Sequence, residues 1–146
     1  MLGLIQRVSS ASVSIDNAVV GNIDHGLLLL LGIEKTDLEI AADKLLQKIL
    51  NYRVFADPEG KMNLSLQDIG GELLVVSQFT LAADTNKGLR PSFSAAASPQ
   101  QAEELYDYFV IQAATALKTQ IKSGRFGADM QVMLRNDGPV TFILRS

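Results

Sequence analysis

The sequence predicts one layered α/β domain that spans residues 1–146, with mixed but largely antiparallel strands and two main helices. A length of 146 residues fits one domain, and a hydrophobic content of 47% is enough to build a core at that size. Most segments show the alternation or the short apolar runs of strands, whereas two segments show helical spacing. Strands and helices follow one another in mixed order, without repeats or a linker, which favours this fold class.

The first third of the chain predicts three strands. They cover residues 4–14, 18–23 and 26–33, and turn residues separate them at Asp16-Asn17 and at Asp24-His25-Gly26. The third of these strands contains the longest apolar run of the chain, from Leu27 to Leu31, and is expected to be buried.

A helix is predicted next. Thr36 and Glu39 have the spacing of a capping box, in which both side chains accept hydrogen bonds from free N–H groups at a helix start. Leu38, Ala42, Leu45 and Ile49 follow at helical spacing, so the helix should extend to about residue 50. A short strand is predicted at residues 52–56, and a buried strand at residues 72–81 after Gly70-Gly71.

The second half predicts a long loop, a second helix and two closing strands. Residues 82–97 contain Gly88, Pro91 and small polar residues, which are typical of a loop. Ser98 and Pro99 mark a helix start. The apolar stripe of that helix is Ala102, Leu105, Tyr106, Phe109, Ala113 and Leu117. The strands at residues 130–135 and 140–144 are joined through residues 136–139.

Composition excludes several classes of site. The net charge is −3, so no overall basic field indicates nucleic-acid binding. With no cysteine and one histidine, His25, a catalytic triad or a multi-histidine metal site is hard to build. We therefore expect no metal site and no cofactor, and His25 to be a solvated turn residue.

The N-terminus and the apolar runs bear on location. Residues 1–7 lack the basic segment and long apolar stretch of a signal peptide. The run from Leu27 to Leu31 is too short to cross a bilayer. We expect a cytoplasmic protein without a membrane segment.

The first candidate site is Ser77-Gln78-Phe79-Thr80-Leu81, where polar side chains follow a buried strand. If the segment stays extended, Gln78 and Thr80 share one face, and they could hold a carbonyl and an amine or water. A strand that leaves the core and becomes polar gives the same pattern, and on the pattern alone this interpretation is favoured.

The second candidate is Asn136-Asp137-Gly138-Pro139-Val140-Thr141. A Gly-Pro bond adopts the cis form readily, and glycine lets backbone carbonyls approach a ligand closely. A hairpin turn between the two closing strands fits the same residues.

The third candidate consists of two glycine-containing loops that place an arginine near a phenylalanine: residues 87–93, with Arg90, and residues 124–127, with Phe126. Arginine pairs with phosphate and phenylalanine stacks on bases, whereas ordinary loop solvation explains each loop taken singly.

Together these segments resemble one family along essentially the whole chain, the bacterial and eukaryotic-type D-aminoacyl-tRNA deacylases. Ser10 stands where the family often has arginine, which removes one RNA contact. The residues after Phe142 also differ from the usual ending. The motifs that carry the resemblance are Ile5-Gln6-Arg7-Val8, Gly60-Lys61-Met62-Asn63-Leu64, Ser77-Gln78-Phe79-Thr80-Leu81, Arg90-Pro91-Ser92-Phe93-Ser94, residues 124–132 and residues 136–141.

The resemblance implies a three-layer β/β/α fold, a homodimer, an aminoacyl-tRNA substrate and hydrolysis of its ester bond. It implies that a cis Gly-Pro gate from one subunit faces the catalytic wall of the other and excludes L side chains. The implied catalytic residues are Ser77, Gln78, Phe79 and Thr80, the gate is Gly138 and Pro139 with Arg7 in support, and Arg90, Phe126 and Met130 contact tRNA.

The resemblance leaves three functional questions open: which amino acid is removed, whether the protein hydrolyses or only binds nucleic acid, and what Thr80 does. A pocket that excludes L side chains admits glycine, so glycine mischarged on tRNA(Ala) is an expected further substrate. An archaeal threonyl-tRNA synthetase editing domain shares the implied fold but clears an L-amino acid, which an intact Gly138-Pro139 argues against. Some eukaryotic relatives have been proposed to bind nucleic acid without hydrolysis. Thr80 is expected to position the substrate, because no base is available to activate it as a nucleophile.

Overall fold

The computed structural model describes residues 1–86 and 88–146, which form eight strands, two α-helices and one 3-10 helix. The α-helices are α1 (Glu39–Asn51) and α2 (Pro99–Ala116), and the 3-10 helix is Phe79–Ala82. The strands are β1 (Leu2–Ile15), β2 (Ala18–Ile23), β3 (Gly26–Gly32), β4 (Phe55–Ala56), β5 (Met62–Leu64), β6 (Glu72–Ser77), β7 (Ile121–Ser123) and β8 (Gln131–Arg145).

The strand β1 organises the main sheet. Along one edge it pairs antiparallel with β3 over its first half and with β2 over its second half. Along its other edge it pairs antiparallel with β8 over nearly its whole length. The strands β6 and β7 extend the sheet from β3 in parallel, and β4 and β5 form a separate antiparallel pair. The predicted mixed, largely antiparallel arrangement with two main helices is confirmed.

Alternation along the central strands creates two cores. In β3, Leu27, Leu29 and Leu31 belong to the larger core under the helices, whereas Leu28 belongs to the smaller core between the strands. The strand β6 repeats this division, because successive side chains point to opposite faces. Both faces of these parallel strands are therefore covered, and the fold has a helical layer over two β layers.

The start of α2 agrees with the prediction. The hydroxyl of Ser98 accepts a hydrogen bond from the N–H of Gln101, and Pro99 occupies the first turn. All six residues predicted for the apolar stripe of this helix are buried.

The predicted capping box of α1 is wrong. The helix begins at Glu39 with Leu38 as its N-cap, and no side chain caps it. The carboxylate of Asp37 instead bonds groups outside the helix. It accepts hydrogen bonds from the ammonium of Met1 and, at 2.7 Å, from the N–H of Glu34. The predicted end of the helix, near residue 50, is correct to one residue.

Two strand predictions also need correction. The buried strand predicted over residues 72–81 ends at Ser77, and the chain then enters the 3-10 helix. The two closing strands are one continuous strand, β8, so the residues between them form no hairpin turn. The short strands β5 and β7 were not predicted, and Lys87 lies outside the described residues.

Candidate functional site

The chain leaves the sheet directly after Ser77. The pairing of β6 with β3 ends at Leu31 and Ser77, and the N–H of Gln78 still donates to the carbonyl of Leu31 at 2.8 Å. The prediction that Gln78 and Thr80 share the face of an extended strand is therefore wrong. The turn of the 3-10 helix nonetheless joins them, because the Gln78 amide donates a hydrogen bond to the Thr80 hydroxyl.

A cavity of about 450 Å³ opens at this point, between the end of β6, the start of α2 and the start of β8. This volume lies in the usual range for small-molecule sites. Most of its wall is apolar, with the polar side chains of Ser77 and Gln78 at one end. The cavity is lined by Val76, Ser77, Gln78, Phe79, Ala96, Ala97, Pro99, Ala102, Phe126, Gly127, Ala128, Met130 and Val132.

Aromatic contacts fix two walls of this cavity. The exposed ring of Phe79 packs on Phe93 with the ring centroids 5.1 Å apart, and Phe126 packs on Tyr106 at 6.0 Å. The Tyr106 hydroxyl donates to the carbonyls of Val75 and Gly124, at 3.0 and 3.1 Å. Burial raises the pKa of Tyr106 to about 12, so this hydroxyl remains a donor even at pH values where an exposed tyrosine ionises.

None of the described residues that line the cavity has an ionisable side chain. The hydroxyl of Thr80 is bonded to an amide, which cannot take up its proton. The N–H groups of Phe79 and Thr80 open the 3-10 helix and have no partner within it. The chemistry that this arrangement supports best is stabilisation of a developing negative charge by backbone donors, without a nucleophilic side chain.

The segment around Gly138 and Pro139 forms a bulge inside β8. Gln6 pairs with Thr141 and Val8 pairs with Asn136, so four residues of β8 lie opposite the single residue Arg7. Gly138 and Pro139 are exposed on this bulge, and the peptide bond between them is cis.

Hydrogen bonds from the side chains of Arg7 and Asn136 hold the bulge. The Nε of Arg7 donates to the carbonyl of Asp137 at 2.8 Å, and its Nη1 donates to the carbonyl of Val54 at 2.6 Å. The Oδ1 of Asn136 accepts from the N–H of Val140 at 2.7 Å, and its Nδ2 donates to the hydroxyl of Thr141 at 3.1 Å. The role of Asn136 was not predicted.

Gly138 cannot be replaced without strain. Its φ is +148°, and a Cβ atom at this position would lie 2.6 Å from Cγ2 of Val140 and 2.9 Å from the backbone N of the same residue. Glycine is therefore required by the bulge itself, whatever faces it.

The bulge and the end of β6 lie apart within one chain. Arg7 is paired with Leu27, whereas Ser77 is paired with Leu31, which corresponds to about 13 Å along the strands. Three strand spacings, from β8 to β6, add about 14 Å across the sheet. The two groups of predicted site residues are thus on the order of 20 Å apart in one subunit.

The predicted site residues therefore separate into three groups. Ser77, Gln78, Phe79, Phe126 and Met130 lie at the cavity, and Thr80 is bonded to one of them. Arg7, Gly138 and Pro139 lie together at the bulge. Arg90 is exposed on the loop between the bridged residues Asp84 and Ser92, outside the cavity. His25 is exposed, as expected.

Part of the cavity wall was not predicted. Ala96, Ala97 and Pro99 line it beside the helix start, where their small side chains were the only signal in the sequence. Met130 packs over Gly124, since a Cβ at Gly124 would lie 2.5 Å from the Met130 sulfur. Within the part of the chain that the structure describes, no helix is both long and apolar enough to span a membrane.

Comparisons with known proteins agree with this architecture. A family model described as D-Tyr-tRNA(Tyr) deacylase matches residues 4–145. A D-aminoacyl-tRNA deacylase of Pseudoalteromonas translucida (strain TAC 125) is 68% identical over 144 residues, which cover 99% of each chain. One of Glaesserella parasuis serovar 5 is 65% identical over 145 residues, with the same coverage. A solved structure of the c-Myc DNA Unwinding Element Binding Protein is 42% identical, with a TM-score of 0.95 over 100% of this chain and 99% of that chain.

Proposed function

Because this chain belongs to the D-Tyr-tRNA(Tyr) deacylase family, we propose that it hydrolyses the ester bond of D-aminoacyl-tRNA. The observation that carries the proposal is the cavity that joins Ser77 and Gln78 to the apolar surface of Phe126 and Met130. Its polar end suits an ester and its apolar end suits a base. We place this activity in the cytoplasm, where charged tRNA is used.

The cavity suits the terminal aminoacyl-adenosine of a charged tRNA. An adenine base stacks favourably on an aromatic ring, and Phe126 presents such a ring on the cavity wall. With the base against Phe126 and Met130, the ribose lies toward Gln78, and the ester reaches the start of the 3-10 helix.

The reaction needs little from the side chains, because an aminoacyl ester is already reactive. Water adds to the ester carbonyl carbon, and the bond from that carbon to the ribose oxygen breaks. The ribose oxygen takes up a proton from water, so the products are free tRNA and a free amino acid. The N–H groups of Phe79 and Thr80 stabilise the oxyanion, and the neighbouring ribose hydroxyl assists the attacking water. Thr80 positions the substrate through its bond with Gln78.

Selection of the D form requires a second surface opposite the ester. We assign this role to Gly138 and Pro139 of a second subunit, whose carbonyls bind the substrate amine and leave no room for an L side chain. A second subunit is needed because the bulge lies on the order of 20 Å from Ser77 within one chain.

Exposed apolar side chains support a homodimer. Met133, Phe142 and Ile143 are exposed on β8, on both sides of the bulge, and Phe79 and Phe93 are exposed beside Gln78. In a twofold dimer one patch of each subunit meets the other patch of its partner, which buries both and completes two sites.

Glycine follows as a second substrate. The proposed gate acts by excluding a side chain, and glycine has none, so glycine esterified to tRNA(Ala) should also be hydrolysed.

The activity is tested with tRNA charged with D-tyrosine, L-tyrosine or glycine. Release of the amino acid from the D-tyrosyl and glycyl forms, with the L-tyrosyl form intact, is the expected result. Equal hydrolysis of the two tyrosyl forms would contradict a chiral gate, and no hydrolysis of any of the three would contradict the function.

The shared site is tested by complementation between two weakened variants, Gln78→Ala in the wall and Arg7→Ala in the gate. If each site combines the wall of one subunit with the gate of the other, a co-expressed heterodimer contains one site with both substitutions and one site with neither. Activity should therefore return to about half that of the native dimer. If wall and gate act within one chain, every site keeps one substitution and no activity returns.

One observation favours a second candidate, nucleic-acid binding without hydrolysis. The solved relative at 42% identity is described as a DNA unwinding element binding protein. The net charge of −3 argues against it, because binding through phosphates requires a basic surface. Binding of duplex DNA more tightly than of tRNA would favour this alternative.

A further inference from the structure

A second cavity lies beside the first. It measures about 370 Å³ and lies between α2 and the segment that follows β7. Among the described residues Phe126 lines both cavities, so the two cavities meet at this residue. The second cavity is lined by Val20, Glu103, Tyr106, Asp107, Val110, Ser123, Gly124, Arg125 and Phe126.

We propose that this second cavity binds the nucleotide that precedes the terminal adenosine of the tRNA, which is a cytidine in every mature tRNA. The inference rests on the proposed function, since it requires adenosine in the first cavity. The preceding nucleotide is attached through the 5′-phosphate of that adenosine, so the chain turns back from the ribose along the adenine and reaches the space beyond Phe126. The volume of that space lies at the lower end of the range for ligand sites, which suits one nucleotide.

The chemistry of the second cavity differs from that of the first. Arg125 is exposed and takes part in none of the salt bridges among the described residues, so its guanidinium is available to the phosphate between the two nucleotides. The ring of Phe126 packs on Tyr106 and is assigned to the adenine, so recognition in the second cavity falls to its charged side chains.

Glu103 gives the cavity a preference among bases. It is exposed and lies next to Ala102, which lines the first cavity. A carboxylate accepts a hydrogen bond from the N4 amino group of cytosine, whereas it opposes the O4 carbonyl of uracil. The net charge of Glu103, Asp107 and Arg125 together is negative, which disfavours a site for phosphate alone and favours a base with an exocyclic amine.

The experiment compares two substrates that carry the same D-tyrosyl ester. One is an RNA minihelix with a CCA end, and the other is adenosine alone. Arg125→Ala should lower kcat/KM for the minihelix by up to about fivefold and leave the adenosine ester unchanged. The matched control is Glu104→Gln, which changes an adjacent exposed carboxylate outside both cavities and should alter neither substrate.

A base exchange tests the role of Glu103. A chemically charged minihelix with uridine before the adenosine should react about fivefold or more slowly than the cytidine form with the native protein. Glu103→Gln should reduce this difference, because an amide can donate to uracil O4 as well as accept from cytosine.

The outcomes separate the two proposals. If the native protein hydrolyses both substrates but Arg125→Ala changes them by the same factor, the second cavity binds no nucleotide and the inference is overturned. An unchanged response to uridine in the native protein overturns the assignment to cytidine. If the native protein hydrolyses neither substrate, the proposed function itself fails.

Discussion

We propose that Thr80 positions the substrate without reacting with it. Its hydroxyl is held by the Gln78 amide, and its exposed position has no base beside it in the described hydrogen-bond network. Thr80→Ala should therefore lower kcat/KM for D-tyrosyl-tRNA by about tenfold or less, the effect of one lost hydrogen bond. Steady-state kinetics measure this directly. Complete loss of activity, or isolation of an acyl ester on Thr80, would instead establish a nucleophile.

Asn136 should matter as much as the gate residues that it supports. Asn136→Ala removes its bonds to the backbone of Val140 and to Thr141, so the bulge loses its internal brace. We expect a fall of roughly tenfold in kcat/KM for the D substrate, because about 1–2 kcal/mol of positioning is lost. Asn136→Asp keeps the acceptor for the N–H of Val140, so its kcat/KM should lie between the values for the native protein and for Asn136→Ala. Native kinetics for both variants would contradict a bracing role.

Substitution of Gly138 is a poor test of the proposed gate. The positive φ and the close approach of Val140 mean that Gly138→Ala distorts the bulge before any substrate binds. A loss of activity in that variant therefore does not distinguish a blocked pocket from a displaced gate. Arg7 and Asn136 are better probes, since their substitution removes hydrogen bonds to the bulge without placing a new atom against its backbone.

The helix α2 couples its own packing to the cavity wall through Tyr106. Burial raises the pKa of this phenol to about 12, against an ordinary value of 10. Its neutral form is therefore favoured in the folded protein. The resulting stability is fully present below pH 10 and is lost as the pH rises toward about 12.

The free energy of unfolding should accordingly decrease between pH 10 and pH 12. Tyr106→Phe should reduce this decrease and, at neutral pH, should lower stability by about 1 kcal/mol, since the hydrogen bond that the hydroxyl shares between two carbonyls is lost. Urea unfolding at several pH values measures both effects. An equal slope against pH in the two proteins would exclude Tyr106 as the responsible group.

Elements with local signals were predictable, and elements defined by distant partners were not. Ser98 and Pro99 specify the start of α2 within four residues, and the apolar run of β3 indicates a buried strand. The continuity of β8 depends on its pairing with β1, more than 100 residues away, and Asn-Asp-Gly-Pro fits a hairpin equally well. Thr36 fails as a cap because Asp37 is bound by Met1, a contact invisible to a local pattern.

The candidate site follows the same rule. The segment from Ser77 to Thr80 was noticed because polar residues follow a buried strand, and Gly138-Pro139 because of its dipeptide, but only the family resemblance assigned either one to a site. Their separation within one chain depends on the register of three strand pairs, which the sequence does not encode locally. The alanines of the cavity wall carry no chemical signal at all, so only the fold reveals them.

At the scale of the whole molecule, a buried ion pair joins the N-terminal residue to the cavity wall. The ammonium of Met1 is fully buried against Asp37, and the adjoining residues Glu34 and Lys35 pair with the backbone of Ala96 and Ala95. Removal of Asp37 leaves the buried ammonium with only the longer ion pair to Glu34, at 3.4 Å, and takes the acceptor from the N–H of Glu34, which is costly.

Asp37→Ala should thus lower the free energy of unfolding by about 3 kcal/mol. It should also raise KM for the D substrate, because the wall near Ala96 loses its support. The matched control is Asp129→Ala, which removes an exposed carboxylate and should change stability by less than about 0.5 kcal/mol. Equal stability of both variants in urea titrations would contradict the structural role of the pair.

The distance between the bulge and the end of β6 has a consequence for dosage. If each site takes one half from each chain, only the dimer contains sites. The number of sites is then set by the equilibrium between monomer and dimer, and not simply by the amount of protein. Specific activity would then be constant at high concentration and would fall in proportion to concentration once the subunits separate. A cell that makes too little of this protein would lose its proofreading faster than it loses the protein.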